Sequence, residues 1–205
     1  MTGIVVGLRA EARLLRGCPL VACAGAEPEN AARALLAAGA TRLLSFGLAG
    51  GLDPALEPGA LVLASEIVTA GNRWPTDPAW AADFPPLRRA PLLGAAAPLL
   101  DRTAKAAAFR DTGAAAVDLE SGAVAAAAAA AGVPLLALRA VADPAAQTVP
   151  AAVLKVVNPQ GQIRLRAAMV ALALHPWAMV RLALQAQAGM TALRSVVQIL
   201  ASSRP

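Results

Sequence analysis

The chain has no tyrosine, one histidine, two cysteines, three phenylalanines and three tryptophans, and it has no acidic residue beyond Asp143. Each shortage removes a class of function. With His175 alone and Cys18 and Cys23 five residues apart, no common zinc-ligand pattern is present and no metal site is expected. Two isolated cysteines without a signal-like opening point to buried free thiols in a reducing cytosol, not to a disulfide frame. Stacking aromatics are scarce and the basic residues are scattered, so nucleic acid is not the expected partner despite a formal net charge of +5. No Gly-Lys-Ser/Thr and no G-x-G-x-x-G occurs, which argues against nucleoside triphosphates and dinucleotides. A membrane span is not expected either, because His175-Pro176 interrupts the most apolar stretch before it reaches about 20 residues.

What is present suffices for one domain. The chain has 205 residues, 58% of them hydrophobic, within the ordinary size of a single core. Residues 3–8 are too short for a signal sequence and run straight into Arg9-Ala10-Glu11-Ala12-Arg13, so the mature chain is expected to start where it is written. Charge is distributed unevenly. All 13 acids lie at or before Asp143, whereas Lys155, Arg164, Arg166, Arg181, Arg194 and Arg204 follow it. A basic, apolar tail of this kind suits a membrane surface or an apolar ligand better than a nucleic acid.

The pattern of elements alternates β with α. Residues 3–8 read as a strand, 9–16 as a short helix, 20–24 as a strand and 29–38 as a helix opened by Pro28 and stopped by Gly39. A buried strand over 42–46 leads into a glycine-rich turn, Gly47-Leu48-Ala49-Gly50-Gly51, and a longer strand follows over 59–70. Residues 71–91 lack periodicity and read as a surface loop or lid, and 92–105 has no clear assignment. A strand over 114–119, a helix over 120–131 and a strand over 135–141 come next, ending at Asp143-Pro144. The Ala-rich run 123–131 is helical because alanine is the best helix former. After Pro150 only helical stretches are expected, broken at Asn158-Pro159, His175-Pro176 and Gly189.

Three carboxylates stand just past strand-like runs: Glu11, Glu120 and Asp143. An open parallel sheet gathers the carboxyl ends of its strands along one edge, where acids distant in sequence can meet a ligand. Each acid alone is ordinary, as a helix cap or a turn residue. The glycine turn alone is ordinary too, although its small residues would let backbone amides approach an anion, a sugar or a base edge. Together, in the order Glu11, Gly47 to Gly51, Glu120, Asp143, they point to an enzyme.

In that order, residues 3–15, 45–52, 117–123 and 139–143 resemble the superfamily of nucleoside phosphorylases and methylthioadenosine/S-adenosylhomocysteine nucleosidases. Val117-Asp118-Leu119-Glu120-Ser121 is similar to its sugar-binding Met-Glu motif, with Leu119 in place of methionine, and Arg139-Ala140-Val141-Ala142-Asp143 is similar to its purine-binding strand end. Within the superfamily the opening residues, the small size and the helical basic tail look most like the hopanoid-associated phosphorylases. The resemblance implies a single α/β domain with a twisted mixed or mostly parallel sheet flanked by helices over residues 1–150, and a helical C-terminal extension over 151–205 packed on it.

It also implies the chemistry. The reaction would be cleavage of the N-glycosidic bond of an adenine nucleoside, namely release of adenine from adenosylhopane, with no cofactor, in the cytoplasm or at the inner face of the membrane, by a homodimer. Asp143 would serve the purine N7 and 6-amino group, Glu120 and Leu119 would meet the ribose, Gly47, Leu48, Ala49 and Gly50 would line the nucleoside, and Glu11 would activate water. A donor at Asp143 needs a proton near neutral pH, for which an apolar wall beside it is expected. Phosphate and water both remain open as acceptors, because Ser45 and Leu48 stand where phosphate-using relatives carry ligands for the anion, while Arg9, Arg42 and Arg139 are substitutes. Two other readings stand beside this one: a nucleosidase for methylthioadenosine or S-adenosylhomocysteine, and a non-catalytic nucleoside- or lipid-binding protein. Peripheral membrane contact through the C-terminal helices accords with a lipid substrate, since leucine, methionine and valine recur there at helical spacing between arginines.

Overall fold

The structure is a computed structural model that describes residues 1–202, with side chains through Val197; Arg204 and the end of the expected extension lie outside the described residues. Eight strands form one mixed sheet. Strands β1 (Thr2–Val6), β2 (Leu20–Cys23), β3 (Arg42–Gly51) and β8 (Leu135–Asp143) run parallel, in the order β2-β1-β3-β8. Strand β8 pairs antiparallel with β4 (Leu61–Val68), which pairs in parallel with β6 (Arg88–Gly94). The short β7 (Ala116–Asp118) joins β6 to the far end of β3, so β3, β8, β4, β6 and β7 close into a ring, and β5 (Arg73–Pro75) hangs on β4.

The strands read as continuous apolar runs because both sheet faces are covered. On one face lie α2 (Pro28–Ala37) and α5 (Ser121–Ala131), whose Ala32, Leu35, Val124, Ala125 and Ala128 pack over Val5, Leu43 and Ala137. On the other lie α1 (Arg9–Leu14), α3 (Pro78–Ala81) and the end of α7 (Pro176–Ser202), with Trp80, Leu193 and Val196 against Phe46, Leu136 and Leu138. Each fully buried leucine or valine here contributes roughly 1.5–3 kcal/mol. Local chemistry sets the boundaries. Pro28 opens α2, and Gly132, at φ 64°, closes α5 in the left-handed conformation that glycine adopts without strain. The Asp101 carboxylate caps α4 (Arg102–Thr112) by accepting from the amides of Thr103 and Ala104.

Several expectations change. The glycine-rich stretch is no turn but the second half of the ten-residue β3. Its partners explain why: Gly47 pairs with Arg139 and Gly50 with Asp143 across the parallel ladder, with a bulge between. The aperiodic 71–91 segment contains β5, α3 and the start of β6, with Trp80 and Phe84 buried in the core; it is a folded part of the domain. The unassigned 92–105 stretch holds the end of β6 and the start of α4. Gly189 does not break α7. It lies buried where an added Cβ would come within 2.6 Å of Leu48, so its small size lets the helix lie against β3 and β8. Cys18 and Cys23 are free but only partly buried. Beyond Pro150 come a 3-10 turn (Ala151–Lys155), an isolated bridge between Val157 and Ile163, α6 (Leu165–Leu174) and α7.

Candidate active site

Arg139, in the middle of β8, is 1% exposed, and a cation so deep in an apolar strand demands partners. It has a full set. Its Nε lies 3.1 Å from Asp118 Oδ2, and its Nη2 lies 3.1 Å from Glu120 Oε2. Nη2 also donates to the hydroxyls of Ser45 at 2.6 Å and Ser121 at 3.2 Å, and Ser121 donates to Ser45 at 3.0 Å. Asp118 in turn accepts from the backbone amides of Glu120 and Ser121, which fixes the start of α5 and holds Glu120 at its N-cap.

Glu11 reaches the same cluster from α1. Its Oε1 accepts from the Leu48 amide at 2.8 Å, and its Oε2 accepts from the amides of Gly7 and Leu8 at 3.1 and 2.8 Å. Two glycines permit the approach. A Cβ on Gly47 would lie 2.6 Å from Glu11 Oε1 and 2.7 Å from Arg139 Nη1, and a Cβ on Gly7 would fall onto the Glu120 carboxylate.

The electrostatics follow from burial. Desolvation raises the Glu11 carboxyl above its ordinary value, against the pull of Arg139 and three backbone amides. Desolvation also raises Glu120, to about 7; Arg139 opposes this, and the charges of Asp118 and Glu11 add to it. Three carboxylates around one guanidinium cannot all ionise cheaply, so Glu120 changes charge near neutral pH. Arg139 stays charged because its acidic neighbours outweigh its desolvation.

Asp143 stands apart, at the end of β8 beside Gly50. An apolar wall was expected next to it. Instead the Nζ of Lys105, from α4, donates to Asp143 Oδ2 and to the carbonyls of Pro144 and Gln147 at 3.1 and 3.2 Å. Lys105 is fully buried, and all three of its ammonium hydrogens are used. The Asp143 side chain remains 18% exposed.

The structure thus brings Glu11, Glu120 and Gly47 together, and places Asp143 with Gly50 further along the same edge. Leu48 gives its amide to Glu11, Ala49 is buried within β3, and Leu119 is 43% exposed at the edge beside Glu120. Of the substitute cations, Arg42 sits at the opposite end of β3, bonded to Thr2 and stacked 4.5 Å from the centre of the Trp80 ring, and Arg9 is exposed at the start of α1. Sequence reasoning missed the parts played by Arg139, Lys105, Asp118, Ser45 and Ser121. An arginine inside an apolar strand was the one readable signal, since burial would force it to collect acids; nothing in Ala104-Lys105-Ala106 marks that lysine.

Residues 77–175 match the model of the Phosphorylase superfamily. No curated protein matches significantly. Among solved structures, a 5'-methylthioadenosine/S-adenosylhomocysteine nucleosidase from Neisseria meningitidis in complex with methylthio-immucillin-A is similar at a TM-score of 0.71 and 14% identity, covering 98% of each chain. The futalosine hydrolase of Helicobacter pylori is similar at a TM-score of 0.67 and 18% identity, covering 96% of this chain and 97% of the other. An S-adenosylhomocysteine nucleosidase from Streptococcus pyogenes with 5-methylthiotubericidin is similar at 0.64 and 18%, covering 95% and 96%. The fold is therefore shared with the nucleosidases, and the segment that matches the family model contains Lys105, Asp118, Glu120, Arg139 and Asp143.

Proposed function

We propose that this protein hydrolyses the N-glycosidic bond of an adenine nucleoside bearing an apolar 5' substituent, with adenosylhopane as the substrate that the family resemblance implies. One observation carries the reading. Strand β3 touches the Glu11 and Arg139 pair at Gly47 and Asp143 at Gly50, three residues or about 10 Å apart along the strand, the length scale of a nucleoside.

Breaking the ribosyl C–N bond leaves positive charge on the sugar and negative charge on the purine. Asp143 sits at the base end, where a carboxyl can donate to N7 and accept from a 6-amino group; this favours adenine. Asp143, bonded to Lys105, would take up a proton at its exposed edge before passing it to N7, and Lys105 would stabilise the carboxylate left behind. Glu120, held by Arg139, sits at the sugar end, where its negative charge offsets the oxocarbenium-like state and its oxygens can accept from ribose hydroxyls. Glu11 uses three of its roughly four acceptor positions on backbone amides, leaving one for a water. Such positioned acid–base groups typically contribute roughly 10²- to 10⁴-fold each.

Water is favoured over phosphate by what the anion would meet. Ser45 is fully buried and committed to Arg139 and Ser121, the Leu48 amide is committed to Glu11, and the Arg139 charge is already matched by acids. The apolar substituent is supported by the exposed hydrophobic surface of α6, which follows closely on a turn against the Gly7 end of the site.

The test is adenine release from adenosylhopane in detergent by the purified protein, with and without phosphate, and with methylthioadenosine as competitor. Release without phosphate is expected. Strict dependence on phosphate would overturn hydrolysis. Consumption of methylthioadenosine with adenosylhopane untouched would reassign the substrate, and adenine binding with no release from either would make the protein a nucleoside-binding one.

A further inference from the structure

The largest feature that the site chemistry leaves unused is the outer face of α6 and the first half of α7. Leu165, Met169 and Leu172 line one ridge of α6, with relative exposures of 72, 63 and 44%. Val170 and Leu174 flank them, and on α7 Trp177, Val180 and Leu184 are exposed at i, i+3, i+7 spacing. Trp177, at 87%, is almost wholly uncovered. Helix α6 meets the rest of the protein through Ala167, Ala168 and Ala171, so its larger side chains are the ones turned outward. Monomeric proteins rarely leave so many neighbouring large apolar side chains in water; such a patch marks an interaction surface.

Its charges identify the partner. Arg164, Arg166 and Arg181 are exposed on or beside these helices, Lys155 precedes them, and no acid occurs anywhere after Asp143. We propose that this face docks the protein on an anionic lipid surface, with the apolar ridge lying in the bilayer interface and the arginines among the headgroups. A basic helix pair with an exposed tryptophan fits that boundary, where apolar area and attraction to anionic lipid add. A second copy of the chain fits it poorly. A two-fold contact would set the same cations against one another with no acid to pair them. Among the described residues no helix is long and apolar enough to cross a membrane, so the contact is peripheral.

The face also adjoins the site. Gly161, four residues before α6, accepts from the Arg9 amide at 3.0 Å, and a Cβ there would lie 2.5 Å from the Gly7 carbonyl. Docking on a bilayer would therefore bring the Gly7 and Glu120 end of the site close to the lipid, where an amphiphilic nucleoside could enter without leaving the membrane phase. The docking itself rests on the surface alone and does not depend on the proposed reaction.

The experiment is co-sedimentation of the full chain with vesicles of neutral phospholipid, and with the same vesicles carrying about one-third anionic lipid. Binding is expected to the anionic vesicles, to weaken with salt, and to fall roughly a hundredfold in Arg164→Gln/Arg166→Gln/Arg181→Gln, at about tenfold or less per arginine near the surface. Met169→Ser/Trp177→Ala, changed only at exposed positions, is expected to fold normally by circular dichroism and to lose binding. Protein left in the supernatant with anionic vesicles would overturn the proposal. So would binding that neither variant changes, or a dimer in light scattering that Met169→Ser/Trp177→Ala splits into monomers.

Discussion

At the scale of single residues, the sharpest consequence concerns the pairing of Lys105 with Asp143. If Asp143 handles the purine, Asp143→Asn and Glu120→Gln should each fold and each lose most adenine release, by roughly the 10²- to 10⁴-fold that a positioned acid supplies. Wild-type turnover in either would remove the site assignment. Lys105 touches no part of the cleft by itself, being fully buried against Asp143, Pro144 and Gln147. Its effect should therefore pass through Asp143. Lys105→Met should slow adenine release on its own, yet cause no further loss in an Asp143→Asn background. A lysine needed only for folding would lower both equally, so the double-mutant cycle separates the two roles.

At the scale of elements, glycine placement in β3 decides whether the cluster can form. Gly47→Ala would place a methyl 2.6 Å from Glu11 Oε1 and 2.7 Å from Arg139 Nη1, and neither group is free to retreat: the first is tied to three amides and the second to two acids and two hydroxyls. The substitution should cost about 1–3 kcal/mol by denaturant titration and should depress activity along with it. Gly71→Ala, where an added Cβ meets nothing within 4 Å, is the matched control and should be nearly silent. A stable, active Gly47→Ala would mean that the Glu11 and Arg139 contact is dispensable. This crowding also explains what the sequence concealed. Alternation of β with α, the three carboxylates and the proline and glycine boundaries were legible because they follow local rules. That residues 47–51 continue a strand was not, since glycines there serve side chains arriving from α1 and β8, over 30 and 90 residues away. The folded 71–91 segment was unreadable for a related reason: Trp80 and Phe84 are held by long-range packing and not by any local period. Gly189 likewise read as a helix break, although a buried, close-packed helix tolerates glycine when the neighbouring strand takes up the space.

At the scale of the whole molecule, the acid cluster ties stability to pH. Glu120 titrates at about 7 in the folded protein against an ordinary 4.5, so between those values the native state holds a proton that the unfolded chain has released. Stability from this group is complete below about pH 4.5 and is lost as pH rises through 7. The difference amounts to about 3 kcal/mol at alkaline pH. Glu11, raised in the same direction, adds to the trend. In a protein of this size each kcal/mol moves the melting temperature by roughly 2–4 °C, so the Tm should fall by several degrees between pH 5.5 and 8. Glu120→Gln cannot ionise and keeps an oxygen for Arg139. It should flatten part of that slope and exceed the wild type in Tm at pH 8 while releasing almost no adenine. A variant that is more stable and inactive at the same pH would mean that the site holds its charges against the preference of the fold. An unchanged slope in Glu120→Gln would instead assign the pH dependence to other groups and remove Glu120 as the residue that titrates near neutrality.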